Sequence, residues 1–211
     1  LDYWDSNLIS TIHLLQVMDK HNCKTIVYSS SANIYRQNED KKLNENHEIC
    51  PTNPYGKTKF VIEQLLEDVF DFSEDWRIAN LRYFNPIGAH ESGLIGEDPI
   101  GIPNNIYPTL TQVAIGKIKE FHIYGNDWPT KDGTALRDYI HVMDLAEGHL
   151  LVYEYLFKNN SQIIKLNLGT GKGTSVLELV NTFKKVNNVE FPIVFDKRRE
   201  GDYGVVIADN T

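Results

Sequence analysis

Tyr55 and Lys59 are the pair whose types and spacing best suit moving a proton. Four residues apart on a helix, they share one face, one turn apart. A lysine ammonium close to a phenol favours the phenolate and lowers its pKa. A tyrosine tuned in this way takes and returns a hydroxyl proton near neutral pH. The same ammonium can donate to the ribose hydroxyls of a cofactor. The spacing by itself carries little. With 11 tyrosines and 15 lysines in 211 residues, about one such pair arises by chance.

The context adds weight. Lys24-Thr25-Ile26-Val27-Tyr28 is a short β-branched run that empties into Ser29-Ser30-Ser31. It reads as a buried strand followed by a polar loop. Ligands of open α/β sheets bind at such strand ends. Ser31 therefore brings a hydroxyl into the crevice beside Tyr55. Asn53 is a good N-cap and Pro54 suits the first helical position. Phe60, Ile62, Leu65, Leu66 and Val69 then carry the apolar face of a helix to about Phe72.

The elements around this pair alternate. A helix is predicted over about 5–21, with Leu8, Ile12, Leu15 and Met18 at helical spacing. Residues 36–54 form a polar connection. Strands are predicted over 76–84, near 121–124, and at about 163–168 and 191–195. Helices are predicted at about 105–118, 143–158 and 174–187, with a loop running from the strand near 121–124 to Arg137. This alternation means an α/β protein with a largely parallel sheet. It is expected to hold the remnant of a doubly wound, Rossmann-like sheet and a smaller C-terminal α/β substrate domain. The Gly/Pro-containing loop at 85–103 marks the boundary. Residues 1–86 form the first part, and residues 87–211 form the second, partly interleaved with it.

Gly169-Thr170-Gly171-Lys172-Gly173-Thr174-Ser175 invites a phosphate-loop reading and fails both templates. The dinucleotide pattern needs a third glycine where Thr174 stands, and no choice of glycines gives the P-loop spacing. A tight strand-to-helix turn, capped by Thr174 or Ser175, is the simpler reading.

Net charge is −8 and there is no long run of Lys or Arg. That excludes the electrostatic footprint of a nucleic-acid binder. A phosphate-bearing ligand must be held by a few placed cations. Cys23 and Cys50 give neither a disulfide framework nor a four-cysteine zinc site, and a reducing cytosol is the simplest compartment. No apolar stretch reaches the ~18 residues of a membrane span, and no signal peptide is recognisable. His141, Asp144 and His149 give no full ligand set, so no metal is expected.

Several motifs resemble one family in order along nearly the whole chain. They are Ser29-Ser30-Ser31-Ala32, Asn53-Pro54-Tyr55-Gly56-Lys57-Thr58-Lys59 and Leu81-Arg82-Tyr83-Phe84-Asn85-Pro86. Gly101-Ile102-Pro103-Asn104-Asn105, Tyr124-Gly125-Asn126-Asp127 and Asp132-Gly133-Thr134 follow. Arg137-Asp138-Tyr139-Ile140-His141-Val142 and Arg198-Arg199-Glu200-Gly201-Asp202 complete the series. Together they resemble the UDP-glucose (UDP-galactose) 4-epimerases, a branch of the extended short-chain dehydrogenases.

The resemblance implies a cytoplasmic NAD enzyme of galactose metabolism. It interconverts UDP-galactose and UDP-glucose through a 4-keto sugar. On that basis Tyr55 is the acid/base, Lys59 tunes it and holds the nicotinamide ribose, and Ser31 hydrogen-bonds the reacting hydroxyl. Ser6, Ser29, Tyr83 and Phe84 are implied on the cofactor side. Asn85, Asn104, Asn105 and Ile106 are implied at the sugar and diphosphate. His122, Ile123 and Tyr124 match the uracil-binding strand. Arg137 and Arg199 would clamp the diphosphate, and Asp202 would accept from a ribose hydroxyl. A homodimer through the helices at about 5–21 and 55–72 is also implied, and Val206 would leave some room for an N-acetyl group.

Three positions depart from the family pattern: Asn33, Arg36 and Ser6. By the same comparison, on the order of 90 residues of a doubly wound half would precede Leu1. A chain read as such a fragment is expected neither to hold NAD tightly nor to turn over UDP-galactose alone. A nucleotide-sugar 4,6-dehydratase is the rival enzyme, and it would want an acidic pair where Ala32-Asn33-Ile34 stand. A silent fragment serving subunit association is the rival of another class.

Overall fold

The computed structural model describes residues 1–36 and 42–210. Residues 37–41 of the polar connection, and Thr211, lie outside the described residues. A π-helical segment, Trp4–Ile9, runs into α1 (Ser10–Lys20). β1 (Thr25–Ser31) follows and turns through a short 3-10 segment, Ala32–Ile34. Then come α2 (Pro54–Phe72), β2 (Arg77–Tyr83) and β3 (Asn85–Ile87). The second part holds α3 (Ile106–Ala114), β4 (Phe121–Tyr124), β5 (Leu136–Arg137), β6 (Tyr139–His141) and α4 (Val142–Lys158). It closes with β7 (Gln162–Leu168), β8 (Thr174–Ser175), α5 (Val176–Asn187), β9 (Ile193–Asp196) and β10 (Val205–Val206).

The main sheet is parallel, in the order β1-β2-β7. Its central strand is buried on both faces, Asn80 and Arg82 included. Alternation sends Ile78 to one side, where it meets Leu15, Tyr28, Ile62, Leu66 and Trp76 under α1 and α2. Ala79 and Leu81 face the other side and pack on Val152 and Leu156 of α4. The sheet thus draws its third strand and one covering helix from beyond residue 87. A separate core of Leu110, Val113, Phe121, Ile123, Val180, Phe183 and Phe191 unites α3, α5 and the parallel pair β4–β9.

Some boundaries differ from the sequence expectation. The helix predicted to 118 ends at Ala114, because Ile115 caps it and Gly116 takes a positive φ of 76°. The helix predicted from 174 begins at Val176, since Thr174 and Ser175 pair antiparallel with β5. The loop predicted to run to Arg137 ends in a strand, and Tyr139–His141 pairs parallel with β3. These strands of two and three residues are too short for periodicity to reveal.

Register aligns the functional ends. Ser31 is opposite Tyr83, and Tyr83 is opposite Leu168. The C-terminal ends of three strands therefore open at one level, above the core that α2 covers. Leu66 lies at the centre of that core with no solvent exposure. Leu66→Ala should lower unfolding stability by about 2–5 kcal/mol, read from the shift of the urea midpoint at unchanged slope.

Candidate active site

Asn53 caps α2 through its side chain, which accepts from Gly56 N–H at 2.8 Å. Tyr55 therefore sits in the first turn, at the end of the helix that reaches the C-terminal end of β1. Gly56 permits this approach: a Cβ there would stand 2.5 Å from the Asn33 carbonyl oxygen. Ser31 closes β1 and caps the 3-10 turn, accepting from Asn33 N–H at 3.2 Å. Its hydroxyl also lies beside the Tyr55 phenol and works to lower the phenol's pKa.

Lys59, one turn on, donates to the Ser29 carbonyl at 2.9 Å. Its ammonium lies 5.1 Å from the Tyr28 ring centre and 5.6 Å from that of Tyr55. Burial lowers the Lys59 pKa. Burial likewise raises the Tyr55 pKa, the Ser31 hydrogen bond opposes it, and Tyr83 and Tyr3 reinforce it. In this geometry Ser31 favours the phenolate. The Lys59 ammonium is engaged with a backbone carbonyl and stands beside the Tyr55 ring.

Ser31 opens onto a cleft of about 530 Å³. Tyr83, Phe84 and Asn85 line its sheet side. Asn104, Asn105 and Ile106 line it from the start of α3, and His122, Ile123 and Tyr124 from β4. Arg137, Arg199, Asp202 and Val206 close it. Asn105 donates to Glu97 at 2.9 Å. His122 Nδ1 lies 2.6 Å from Asp196 Oδ2, and its Nε2 lies 3.4 Å from Glu120. Arg137 donates to the carbonyls of Leu136 and Tyr203, both at 2.9 Å, and stands 3.9 Å from Asp202. Burial lowers the Arg137 pKa, while Asp202 and Tyr139 act the other way. The Arg199 guanidinium stacks on the Tyr124 ring at 3.7 Å, a cation–π contact.

Three expected residues sit elsewhere or in another role. Ser6 is exposed and donates to the Asp2 carbonyl at 2.7 Å. Its neighbour Asn7 reaches the site helix instead, donating to Thr58 at 3.0 Å. Ser29 lies behind the cleft wall, its hydroxyl 3.5 Å from His149 Nε2. Phe84 is buried among Ala32, Ile34 and Tyr35, with only an edge at the cleft.

The glycine-rich turn is not a phosphate cradle. Its amides are taken: buried Asp138 accepts from Thr170 N–H at 2.8 Å and Gly171 N–H at 2.9 Å. Ser175, the second of the two expected caps, accepts from Glu178 N–H at 3.0 Å. His141 caps α4, accepting from Met143 N–H at 3.1 Å, and Asp144 lies in the first turn after it. His149 turns to Ser29 and the Leu145 carbonyl. No group of three or more His, Cys, Asp or Glu able to hold a metal occurs among the described residues.

Residues 1–169 match the model of the NAD dependent epimerase/dehydratase family. The chain belongs to that family. It is 51% identical over 208 residues to a UDP-glucose 4-epimerase of Cyamopsis tetragonoloba, covering 98% of this chain and 59% of the relative. It is 50% identical over 209 residues to the UDP-glucose 4-epimerase of Bacillus subtilis (strain 168), covering 99% of this chain and 61% of that protein. The chain thus spans about three fifths of the length of the relatives it matches. A crystal structure of UDP-glucose-4-epimerase from Stenotrophomonas maltophila, with bound NAD and formylated UDP-arabinopyranose, superposes with a TM-score of 0.94 at 46% identity. It is matched over 99% of this chain and 62% of its own. The Bifidobacterium longum enzyme, in complex with NAD+ and UDP, gives 0.93 at 47% identity, over 99% and 62%. The fold is that of this epimerase family, Rossmann-like and α/β.

Two buried residues at the family site escape the sequence reading. Glu63 and Arg82 form an ion pair directly behind β1. In the sequence Arg82 stands only as one letter of the Leu81–Pro86 motif. Glu63 carried a usable signal, since it continues the Tyr55–Lys59 stripe one further turn.

Two pH measurements follow. Ser31→Ala removes the bond that holds the Tyr55 phenol down, so its pKa should rise further. A titration of ring-labelled tyrosine by NMR, with Tyr55→Phe giving the assignment, reads the shift. Tyr139 is pushed up to about 12, first by burial, with Arg137 acting the other way. Its neutral form is favoured by folding, so its contribution is whole below pH ~10 and lost as pH rises toward ~12. Tyr139→Phe should flatten the fall in urea stability across that window.

Proposed function

We propose that the protein acts as a UDP-glucose 4-epimerase, interconverting UDP-galactose and UDP-glucose with NAD as bound cofactor. One observation carries the reading. A half-buried tyrosine, its phenol beside the Ser31 hydroxyl, adjoins a cleft that Ser31 lines together with two arginines. That is a proton-transfer pair facing a diphosphate-sized anion site.

In this reading the Tyr55 oxygen accepts the proton of the sugar 4-hydroxyl, and Ser31 orients that hydroxyl by sharing its hydrogen bond. NAD, when bound, supplies a reversible oxidant at the sugar carbon. The residues present suit it: a half-buried ammonium beside the phenol and strand-end hydroxyls form a donor set for a ribose. Lys59, Ser29, Tyr83 and Phe84 belong to that side, while Ser6 turns away to the Asp2 carbonyl. Arg137 and Arg199 hold the diphosphate, where planar forks bind two oxygens at once. Asn85, Asn104, Asn105 and Ile106 position the sugar. His122, Ile123 and Tyr124 hold the uracil, and Asp202 accepts from the ribose. Val206, at the cleft wall, leaves some room for an N-acetyl group. The residues after Ser31 are Ala32, Asn33 and Ile34, which carry no proton for a dehydratase step.

Residues 1–86 would then be the C-terminal part of the NAD-binding half, and 87–211 the UDP-sugar part. A second copy fits the groove between α1 and α2, about 400 Å³ and lined by Ile12, Leu15, Leu65 and Val69. Phe72 lines it too and is 93% exposed. Two free cysteines agree with a reducing, cytoplasmic setting. No helix among the described residues is long and apolar enough to cross a membrane.

Calorimetry with UDP should show binding, and Arg137→Ala should weaken it by roughly 10- to 100-fold, the worth of a hydrogen bond to a charged group. With NAD and UDP-galactose, formation of UDP-glucose should fall ~10²- to 10⁴-fold in Tyr55→Phe. Absence of UDP binding, or a Tyr55→Phe rate equal to that of the parent, would overturn the reading.

A further inference from the structure

The stripe that holds Tyr55 and Lys59 does not end with them. Glu63 follows at the same spacing, about 12 Å along the helix from Tyr55. Its carboxylate is 1% exposed and Arg82, on β2, is not exposed at all. Arg82 Nε donates to Glu63 Oε1 at 3.0 Å, and its terminal NH2 group donates to Oε2 at 2.5 Å. Ser30 donates its hydroxyl to the same Oε1. One carboxylate thus joins α2 to β1 and β2 together.

Arg82 reaches further. Its other terminal nitrogen, NH1, donates to the Tyr35 hydroxyl and to the Glu45 carbonyl, each at 3.0 Å. Tyr35 donates on to Asn167 at 2.7 Å, on β7. The network therefore spans all three strands of the main sheet, immediately behind the serines that face the site.

Such a pair is a poor way to gain stability. Desolvating two ions offsets most of their attraction, and an apolar pair of similar volume often does as well. What the pair supplies is direction. Ile62 and Leu66 hold α2 to the sheet by apolar contact, which is non-directional and tolerates sliding and rotation. A fork bonded to both carboxylate oxygens tolerates neither. Ser30 is bracketed by the two residues that the site uses: Lys59 binds the Ser29 carbonyl, and the Tyr55 phenol lies beside Ser31.

We infer that Glu63 and Arg82 are positioning residues, whose buried pair fixes the rotation and height of α2 so that the Tyr55 phenol meets the Ser31 hydroxyl. The effect on turnover rests on the epimerase reading, whereas the effect on Tyr55 geometry does not. A misplacement of about 1 Å in such a pair can cost about a hundredfold in rate.

The test is the double variant Glu63→Leu with Arg82→Met, which removes both charges and leaves none unpaired. Ser30→Ala accompanies it, cutting only the link from the carboxylate to β1. Expected is a double variant that unfolds cooperatively near the parent temperature, with its Tyr55 ring resonances displaced in the ring-labelled NMR spectrum. Ser30→Ala should displace them in the same direction by less. Where the parent protein turns over UDP-galactose, kcat should fall about a hundredfold in the double variant while KM stays within about twofold. A parent without turnover defeats the epimerase reading alone, because the resonances still decide the positioning role. Tyr55 resonances unmoved in the folded double variant would overturn the inference. Should that variant fail to fold, unmoved resonances in Ser30→Ala would do the same.

Discussion

The close approach of α2 to the turn after β1 decides the geometry of everything at the cleft. A helix normally lies about 10 Å from the sheet it covers, held off by its side chains. Here its first turn comes down onto the chain at Asn33, and only because Gly56 has no side chain to intervene. Asn53 caps that turn and Pro54 fixes its first residue. The next residue, Tyr55, is thereby delivered to the strand end where Ser31 stands. A residue larger than glycine at 56 would lift the helix, and the phenol with it. The sequence Asn-Pro-Tyr-Gly thus encodes a contact, not merely a helix start.

Charge is used sparingly in the same region. The net charge of −8 leaves few cations to spare, and each has a distinct place. Arg36 pairs with Glu48 at the surface, and Arg198 stacks on Trp128. Arg82 is sealed behind the sheet, and Arg137 is held at the cleft wall by two carbonyls. Among the described residues, Arg137 and Arg199 are the arginines that line the cleft. In an acidic chain, two arginines in one pocket, set against Glu120 and Asp202 of the same lining, give an anion two placed forks and no broad positive field. That arrangement favours a compact anion over an extended polyanion.

Legibility from sequence followed physical range. The Tyr55 helix was readable because its cap, its proline and its apolar stripe all lie within 20 residues. Its bounds, Pro54–Phe72, are those expected. The strand before it was readable for the same reason, although it runs on through Ser31 where polar residues had suggested a loop. The family motifs placed Ser31, Arg137 and Arg199 at the same cleft, a result that spacing alone could not give. What sequence could not show was the direction of individual polar contacts. Nothing local says that Lys59 turns to a carbonyl, or that Ser6 turns away while Asn7 turns in. The strands of two and three residues were invisible too, since they exist only through partners far along the chain.

The buried polar groups explain why the missed residues matter. Ser30, Glu63, Arg82 and Asp138 are all buried, and all are fully engaged. Each spends hydrogen bonds on fixing a backbone segment next to the cleft. Asp138 ties the glycine-rich turn at 169–171 to Ala208, whose N–H donates to it at 3.1 Å. Glu63 ties α2 to two strands. An apolar core would give comparable stability but would leave these segments free to adjust by fractions of an ångström. Hydrogen bonding at a phenol–hydroxyl pair does not survive such freedom, because its strength falls steeply with angle. A site that depends on the alignment of a phenol with a hydroxyl therefore needs a rigid polar scaffold beneath it, and the chain places that scaffold on the same helix as the reacting side chain.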